Sequence, residues 1–259
     1  MMQKFYVAII IFLASLAGIV FGAIASQSFL IFISVIGVLI ALGLVFKGVI
    51  DPTYEMFVPV YSTNQEKTIY LTFDDGPDPE TTPEILDILK KHSIQAVFFL
   101  IGHKAEQHPE LIQRIVNEGH LVGNHSYSHT VAITFSSTKQ VQREIEKANQ
   151  VIEKACGEKV RFFRPPYGIM NPQIGKAIRQ SGLQTMGWDF RSYDTNVNNA
   201  EDLMKRVQYK QIGGIVLLHD RLPFIPEFLE QFVKDQKSKN KSFGDVRTLL
   251  EHLQSKKLQ

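Results

Sequence analysis

The stretch Thr68-Ile-Tyr-Leu-Thr-Phe-Asp-Asp-Gly-Pro77 decides how the rest of the chain is interpreted. Its first six residues form a short apolar run that predicts a β-strand, and the Gly-Pro pair predicts a turn. Two adjacent carboxylates at the end of a strand repel each other. An ordinary turn is one explanation of this pair, and a bound cation that relieves the repulsion is the other.

Short apolar runs alternate with helical patterns from this stretch onward, and most of the predicted helices have a proline in their first turn. The predicted strands are residues 68–73, 96–101, 120–122, 161–163, 183–188 and 214–219. The predicted helices are residues 83–92, 109–118, 138–155, 172–181, 200–209 and 226–234, and residues 234–242 are predicted to be a polar loop. Such alternation implies parallel strands with helices outside. We therefore predict an α/β fold, a distorted (β/α) barrel of about seven units.

The polar side chains best suited to chemistry follow the predicted strands at their carboxyl ends. They are Asp74, Asp75, His125, Arg164, Asp189, Asp194 and His219. The carboxyl ends of the strands in a parallel barrel meet at one face, where catalytic sites assemble. The sequence therefore predicts a single site at that face.

The first 50 residues differ from the rest of the chain, since residues 5–46 include no Asp, Glu, Lys, Arg or His. A membrane helix needs ~20 apolar residues. We predict a membrane anchor over residues 1–50 with helices at 5–24 and 29–46, a linker over 51–67 and a catalytic domain over 68–259. A buried soluble hairpin is disfavoured because buried helices seldom run this long without a polar face. A signal peptide cleaved after Ala23-Ile-Ala25 would leave the second helix as the anchor.

The predicted location is the bacterial cytoplasmic membrane, and the side on which the catalytic domain lies stays open. Two crossings return the chain to its starting side. Lys4 and Lys47 flank the apolar block, and the positive-inside rule would place both in the cytoplasm. Two lysines are few residues on which to base an orientation.

Charge and cysteine content exclude several classes of protein. The chain carries 28 basic and 26 acidic residues, and without the two flanking lysines the numbers are equal. A nucleic-acid-binding domain would need a basic patch, so we expect no nucleic-acid partner. The single cysteine, Cys156, can form neither an internal disulfide nor a multi-cysteine metal site.

A candidate metal site joins the two aspartates to the segment His125-Ser-Tyr-Ser-His129. Two histidines four residues apart share a face if the segment is helical, although this spacing alone is a weak signal. Asp75, His125 and His129 together would supply three ligands and leave a position for water, as in catalytic zinc sites. Asp74 would then be free to act as a general base on that water.

Four motifs together resemble the polysaccharide deacetylase family, also called the nodulation-type chitooligosaccharide deacetylase domain or carbohydrate esterase family 4. They are TFDDGP at 72–77, HSYSH at 125–129, RPPYG at 164–168 and LLHD at 217–220. They occur in the family's order and rough spacing, and the resemblance covers residues 68–220. It implies a divalent metal cofactor, with zinc favoured.

The resemblance also implies a role for each matching residue. Asp74 resembles the catalytic base; Asp75, His125 and His129 resemble the metal ligands; Arg164 resembles the partner of the base. Tyr167 resembles the residue whose backbone N–H stabilises the oxyanion and contacts the substrate. His219 resembles the acid that protonates the leaving amine, and Leu217 a wall of the acyl pocket.

One motif departs from the family pattern, in which an Asp-Trp pair positions the catalytic histidine. By its distance from Trp188, Asp194 takes the aspartate position and Thr195 replaces the tryptophan. Asp189 is a second candidate for orienting His219. Trp188 supplies aromatic surface to a substrate or packs in the core, and the sequence leaves both interpretations open.

Three functions follow from this pattern. The first is metal-dependent removal of an N-acyl group, such as acetyl, from an amino sugar in a glycan such as peptidoglycan or a chitin-like oligomer. The second is a deacylase or deformylase of a lipid-linked amino sugar. The third is a non-catalytic, glycan-binding membrane protein, which the intact set of polar residues disfavours. The sequence does not indicate an oligomeric state.

Overall fold

A curled sheet of parallel strands surrounded by helices forms the centre of the computed structural model, which describes residues 3–63 and 67–249. The strands in that part of the chain are β1 Val60–Tyr61, β2 Thr68–Gly76, β3 Ala96–Leu100, β4 Leu121–Asn124, β5 Phe162–Phe163, β6 Gln184–Met186, β7 Phe190–Arg191, β8 Gly214–His219 and β9 Ser242–Phe243. The α-helices there are α1 Gln3–Ile24, α2 Ser28–Ile50, α3 Thr81–His92, α4 Gly102–Gln107, α5 Pro109–Asn117, α6 Thr138–Cys156, α7 Pro172–Ser181, α8 Ala200–Val207 and α9 Ile225–Ser238.

The strand order is β1-β6-β5-β4-β3-β2-β8-β7, with β9 paired to the start of β2. The prediction of a distorted parallel barrel is confirmed, and each of the six predicted strands is present. The sheet has three further strands, β1, β7 and β9. Each of them is two residues long, which is too short to stand out as an apolar run.

The alternation of side chains along β2 explains how the sheet presents a catalytic group. Ile69, Leu71 and Phe73 are fully buried in the core between the sheet and the helices. Tyr70 lies on the other face, in a cluster on the concave side of the sheet. Successive side chains of a strand point to opposite faces, so Asp74 also points to the concave side, at the carboxyl end of the strand.

Apolar side chains fill the concave side of the sheet from its amino-terminal end up to Phe99, which pairs with Asp74. They are Tyr70, Val97, Phe99, Phe162, Met186, Ile215, Val246 and Leu249, each at most 4% exposed. Two of them, Val246 and Leu249, come from the segment after β9. The interior is therefore a packed core at this end, and the carboxyl end is left for the polar groups.

Part of the segment 51–67, predicted to be a linker, belongs to the folded domain. β1 pairs in parallel with β6 through Val60↔Thr185 and Tyr61↔Met186. Met56, Phe57 and Val58 are at most 2% exposed and pack with α6 and α7. The sheet therefore begins at Val60 and not at Thr68. Residues 64–66 and 250–259, within the predicted linker and catalytic domain, lie outside the described residues.

The prediction that residues 234–242 form a polar loop is wrong. Helix α9 continues to Ser238, and β9 follows at Ser242–Phe243. Only one face of this end of the helix is buried, through Phe232, Val233 and Gln236. The remaining positions of the segment are polar, so the helical period was not visible in the sequence.

The two apolar helices form a hairpin whose open end packs on the catalytic domain. α1 and α2 are long and apolar enough to cross a membrane by length and composition, and 11% of the residues in each apolar window are buried. The ring of Phe5 lies 5.4 Å from that of Phe57. The backbone N–H of Met170 donates to the carbonyl of Val49 at 2.9 Å. The hairpin and the domain thus share a packed interface.

We predict that Phe98→Ala lowers the free energy of unfolding by about 3–5 kcal/mol, the usual range for removing a buried phenylalanine. Phe98 is fully buried in β3, with its ring 5.1 Å from that of Phe73. Urea denaturation of the full chain in detergent, followed by the fluorescence of its one tryptophan, Trp188, gives the value. The surface change Lys205→Ala is expected to stay within about 0.5 kcal/mol of the wild type. A loss below about 1 kcal/mol for Phe98→Ala would contradict the packing described above.

Candidate active site

A pocket of about 420 Å³ opens at the carboxyl ends of the strands. Its lining includes Asp74, Asp75, His125, His129, Tyr167, Trp188, Leu217 and His219. β2 supplies the aspartates, β8 supplies Leu217 and His219, and the segments after β4, β5 and β6 supply the others. The predicted convergence of these residues on one face is therefore present in the structure.

Asp75, His125 and His129 form a cluster that could hold a metal ion, with one ligand atom from each residue within 4.8 Å of the others. Asp75 Oδ1 lies 3.5 Å from His125 Nε2 and 3.2 Å from His129 Nε2. Asp75 has a φ of 72°, in the left-handed region that non-glycine residues seldom adopt. This backbone turn accompanies the change of register after Asp74 in the pairing with β3.

The two histidines come together by a tight turn and not on a helix. Residues 125–130 have no helical structure, and Ser126 and His129 have φ values of 65° and 49°. The turn is held because Asn124 Oδ1 accepts from the Ser126 N–H at 2.7 Å and Ser126 Oγ accepts from the His129 N–H at 3.1 Å. The shared helix face that would bring the two histidines together is therefore absent, and the turn brings their rings to 4.7 Å from each other instead.

The surroundings of both rings suit metal ligation. His125 Nδ1 lies 2.8 Å from the carbonyl oxygen of Arg164, an arrangement that fixes the ring and leaves Nε2 facing the cluster. His129 Nε2 is buried and has no hydrogen-bond partner in the described part of the chain. Burial, with the nearby His125, lowers the pKa of His129 to about 4, so the ring is neutral at pH 7 and able to donate a lone pair.

The Asp75 carboxylate completes this donor set. Burial by itself raises its pKa, but the hydrogen bond and charge of His125 and the charges of His129 and His219 outweigh that effect and hold the pKa well below its usual range. Asp75 Oδ2 also accepts from Arg221 Nε at 2.7 Å. A carboxylate and two imidazoles match the ligand types of zinc sites, so these residues fit a divalent metal.

Asp74 is paired with a fully buried arginine. Arg164 Nη1 donates to Asp74 Oδ1 and to Thr72 Oγ1, both at 2.7 Å. Its other donors reach the carbonyl oxygens of Met186 and Gly187. Burial lowers the pKa of Arg164, and the charge of Asp74 and its hydrogen bond counteract that effect, so the carboxylate is the countercharge of the buried guanidinium.

His219 is held by Asp194 and not by Asp189. Asp194 is fully buried and accepts from the backbone N–H of His219 with one oxygen, while its other oxygen lies 2.7 Å from His219 Nδ1. Burial lowers the pKa of His219, but the hydrogen bond and charge of Asp194 outweigh that effect and raise it above the ordinary value. Asp189 Oδ2 instead accepts from Thr63 and from the backbone N–H of Ile215.

The residues predicted to contact substrate lie around the same pocket. Tyr167 has a φ of 61°, is 42% exposed, and its hydroxyl donates to the carbonyl of His129 at 2.9 Å. Leu217 is 3% exposed and lines the pocket from β8. Trp188 also lines it, packed so closely on Gly168 that a Cβ there would lie 2.7 Å from the indole ring. Thr195 is exposed at the edge of the pocket.

Sequence reasoning missed three basic residues at this pocket. Arg221 bonds to Asp75, and Lys104 Nζ donates to the Asp75 carbonyl at 2.8 Å. Arg191 lies over the ring of Trp188, 5.3 Å from its centroid, and also lines the pocket. Arg221 directly follows the LLHD motif, so its place after a strand was a usable signal. Lys104 and Arg191 carry no comparable pattern.

Asp220, the last residue of the LLHD motif, contacts Thr82 and the backbone of Asp74. Its Oδ2 accepts from Thr82 Oγ1 at 2.9 Å, and its backbone N–H donates to the Asp74 carbonyl. A Cβ at Gly76 would lie 2.1 Å from the same carboxylate oxygen, so only glycine fits there. Burial raises the pKa of Asp220 to about 7.

A pocket with an Asp/His/His cluster, an arginine-paired aspartate and an aspartate-paired histidine is typical of metal-dependent hydrolases. The family model for polysaccharide deacetylases matches residues 61–186. The peptidoglycan-N-acetylmuramic acid deacetylase PdaA of Bacillus subtilis is 34% identical over 193 residues, 72% of each protein. A chitooligosaccharide deacetylase of Sinorhizobium fredii is 38% identical, over 60% of this chain and 73% of that protein.

Solved structures agree with these matches. The peptidoglycan deacetylase PdaC of Bacillus subtilis superposes with a TM-score of 0.65 and 32% identity, covering 75% of this chain and 96% of the other. A CE4 family pseudoenzyme from Bacillus anthracis gives a TM-score of 0.67 and 30% identity, covering 76% and 71%. The chain therefore belongs to the polysaccharide deacetylase family, hydrolases that act on the N-acetyl amide bonds of amino sugars and depend on a metal.

We expect the purified protein to bind one divalent ion per chain, and His129→Ala to reduce the bound metal to near zero because one of three ligands is lost. Elemental analysis of the protein after exhaustive dialysis measures the ratio. His103→Ala is the matched control, since His103 Nδ1 contacts the Tyr127 carbonyl and lies outside the cluster. Equal metal contents in the two variants would rule out the Asp75/His125/His129 site.

Activity is expected to fall as the pH rises through the pKa of His219, because the protonated ring is the proton donor. Asp194→Asn removes the charge that raises this pKa, so the alkaline limb of the kcat/KM profile should move to lower pH by about 1–3 units. Asp189→Asn should leave the limb in place, because Asp189 contacts Thr63 and Ile215. Identical limbs in wild type and Asp194→Asn would mean that another group donates the proton.

Proposed function

We propose that the protein hydrolyses the N-acetyl group of an amino sugar in a glycan such as peptidoglycan or a chitin-like oligomer, with zinc as the divalent cofactor. The observation that carries this proposal is the grouping, in one pocket, of an arginine-paired aspartate, a histidine with a raised pKa and a three-residue metal cluster. The printed activities of the relatives, deacetylation of N-acetylmuramic acid and of chitooligosaccharides, support the substrate class.

Asp74 acts as the general base. Arg164 bonds to one of its oxygens, Oδ1, and its second oxygen, Oδ2, lies 3.8 Å from His125 Nε2, beside the metal cluster. A water molecule held at this cluster is therefore within reach of the carboxylate. Asp74 takes a proton from that water as the oxygen attacks the amide carbon, and a positioned base of this kind contributes about 10²–10⁴-fold to the rate.

His219 acts as the general acid. Asp194 fixes Nδ1, which leaves Nε2 to donate a proton to the amide nitrogen as the carbon–nitrogen bond breaks. The raised pKa favours the protonated form of the ring, which is the form that can donate a proton. A neutral amine is a much better leaving group than an amide anion, so proton donation makes the bond cleavage possible.

Zinc bound by Asp75, His125 and His129 would supply Lewis-acid chemistry, lowering the pKa of a water molecule and polarising the amide carbonyl. The chain's own contribution to the oxyanion is the backbone N–H of Tyr167, whose removal from such a role would cost about 3 kcal/mol. Leu217 offers an apolar surface to the acetyl methyl group. Trp188 and Tyr167 offer aromatic surface to the sugar.

A non-catalytic role is disfavoured by the completeness of the site. A pseudoenzyme is among the similar structures, and a variant of it with restored activity superposes at a TM-score of 0.67, so the fold alone does not guarantee activity. Here Asp74 is bonded to Arg164 and lies beside the metal cluster, and His219, paired with Asp194, lines the same pocket. We therefore assign catalysis to this chain.

Membrane anchoring through α1 and α2 is part of the proposal. Both helices present large apolar side chains outward, for example Ile10 at 64% and Leu39 at 63% exposure. The hairpin also favours a second candidate function, deacylation of a lipid-linked amino sugar, because α2 bonds directly to the loop that follows the RPPYG motif. Both candidate functions use the same catalytic groups and differ in the carrier of the sugar.

The test is acetate release from N-acetylglucosamine oligomers by the full chain in detergent, before chelation, after chelation and after zinc is added back. Activity should vanish with the chelator and return with zinc. Asp74→Asn and His219→Ala should each lower kcat at least about 100-fold. Metal-loaded protein that releases nothing from the oligomers but deacylates a lipid-linked amino sugar would favour the second candidate. Activity that survives chelation would refute the metal-dependent mechanism.

A further inference from the structure

A pair of exposed apolar side chains lies on the 3-10 turn Val131–Phe135, which follows the HSYSH segment of the pocket. Val131 is 57% exposed and Phe135 is 88% exposed, and we call these two side chains the apolar rim. The turn begins two residues after His129, which lines the pocket and whose carbonyl accepts from the Tyr167 hydroxyl. The turn therefore continues the chain segment that forms this wall of the pocket. Large apolar side chains exposed next to a site are typical of a contact surface.

The same turn is packed against the hairpin on its inner side. Ile133 is 3% exposed and belongs to the cluster that includes Ala8 of α1. Val45 and Val49 of α2 pack against that cluster. The apolar rim is thus the outward side of a segment whose inward side contacts the core that the membrane helices share with the domain.

Two hydrogen bonds connect the end of α2 to this turn. The Met170 N–H donates to the Val49 carbonyl at 2.9 Å, and the next residue, Asn171, donates from Nδ2 to the Thr134 carbonyl at 2.7 Å. Thr134 is the neighbour of Phe135 in the chain. The position of the apolar rim relative to the hairpin is therefore fixed by direct contacts.

Tyr54, which lies between two lysines, indicates where this contact lies relative to the membrane surface. The Nζ atoms of Lys4 and Lys47 lie 4.6 and 4.8 Å from the ring centroid of Tyr54. Aromatic and basic side chains at the ends of apolar helices lie at the membrane–water interface. Val49 is two residues beyond Lys47, about 3 Å along the helix axis. Met170, and with it the turn that carries the apolar rim, consequently lies near the level of the lipid headgroups.

We infer that the apolar rim contacts the lipid bilayer, with the Phe135 side chain in the interfacial region, so that the pocket opens beside the membrane surface. The inference rests on the proposed membrane anchoring by α1 and α2, and it does not depend on the reaction. The partner is the bilayer in which the hairpin lies, because the rim continues the surface of the helices that enter it. An aromatic ring is well suited to this region.

The experiment uses the full chain with Cys156→Ala and one introduced cysteine, labelled with an environment-sensitive fluorophore and reconstituted in phosphatidylcholine–phosphatidylglycerol nanodiscs that contain nitroxide-labelled lipids. Phe135→Cys tests the rim. Tyr209→Cys is the matched control, since Tyr209 is 89% exposed and follows α8 at the opposite end of the barrel, before β8. Leu13→Cys, in the middle of α1, reports on the hairpin itself.

We expect strong quenching at positions 13 and 135, with quenching at 135 several-fold greater than at 209. Equal, weak quenching at 135 and 209 together with strong quenching at 13 would overturn the inference and leave the membrane anchor intact. Weak quenching at 13 would overturn both. Because the readout needs no substrate, a chain that released no acetate but was quenched at 135 would refute the proposed reaction and support the membrane contact.

Discussion

The buried guanidinium of Arg164 is the interaction on which the rest of the catalytic domain depends. It extends from the end of β5, stacks 4.2 Å over the ring of Phe99, and donates to β2 through Thr72 and Asp74 and to the carbonyl oxygens at the end of β6. The backbone carbonyl of Arg164 fixes the ring of His125. Breaking a buried ion pair by removing one partner costs about 3–5 kcal/mol, because the remaining charge is left without compensation. The contacts that join β2, β5 and β6 therefore also position Asp74, the proposed base, and His125, a proposed metal ligand.

The sequence predicted the described α-helices except α4, predicted the longer strands, and brought most of the site together, because strand ends in a parallel sheet must converge. It could not distinguish Asp194 from Asp189, since both follow the predicted strand 183–188, and only the pairing with β8 decides which of them meets His219. It could not find Lys104 or Arg191, whose contacts depend on how separate segments pack. The strands β1 and β9 were not predicted for a different reason. Their pairing partners in the sheet determine that they form strands, and their own composition does not.

The proposed catalytic pocket holds two kinds of charged group, the adjacent carboxylates of Asp74 and Asp75 and the imidazole of His219. At Asp74 and Asp75 the chain must accommodate two adjacent carboxylates, and Arg164, Arg221 and the histidines surround them. At His219 the hydrogen bond and charge of the buried Asp194 raise the pKa of the imidazole and so favour its protonated form. Burial opposes the charged state at both places, so each group needs its own partner. A pocket of this kind tolerates little variation in its polar residues, which is why the completeness of the set is informative about activity.

The pairing of β2 with β9 has a consequence for how the protein is made. Thr68 of β2 pairs with Ser242 of β9, and Ile69 pairs with Phe243. β1 pairs with β6, which lies more than a hundred residues further along the chain. Contacts between such distant segments form late and slow the folding of a domain. The apolar hairpin precedes the domain in the chain, so a hairpin that inserts into a membrane would do so before the sheet closes. With the proposed anchoring, the hairpin would hold the unfinished domain at the bilayer, with the apolar strands of its core still exposed, until β9 has been synthesised.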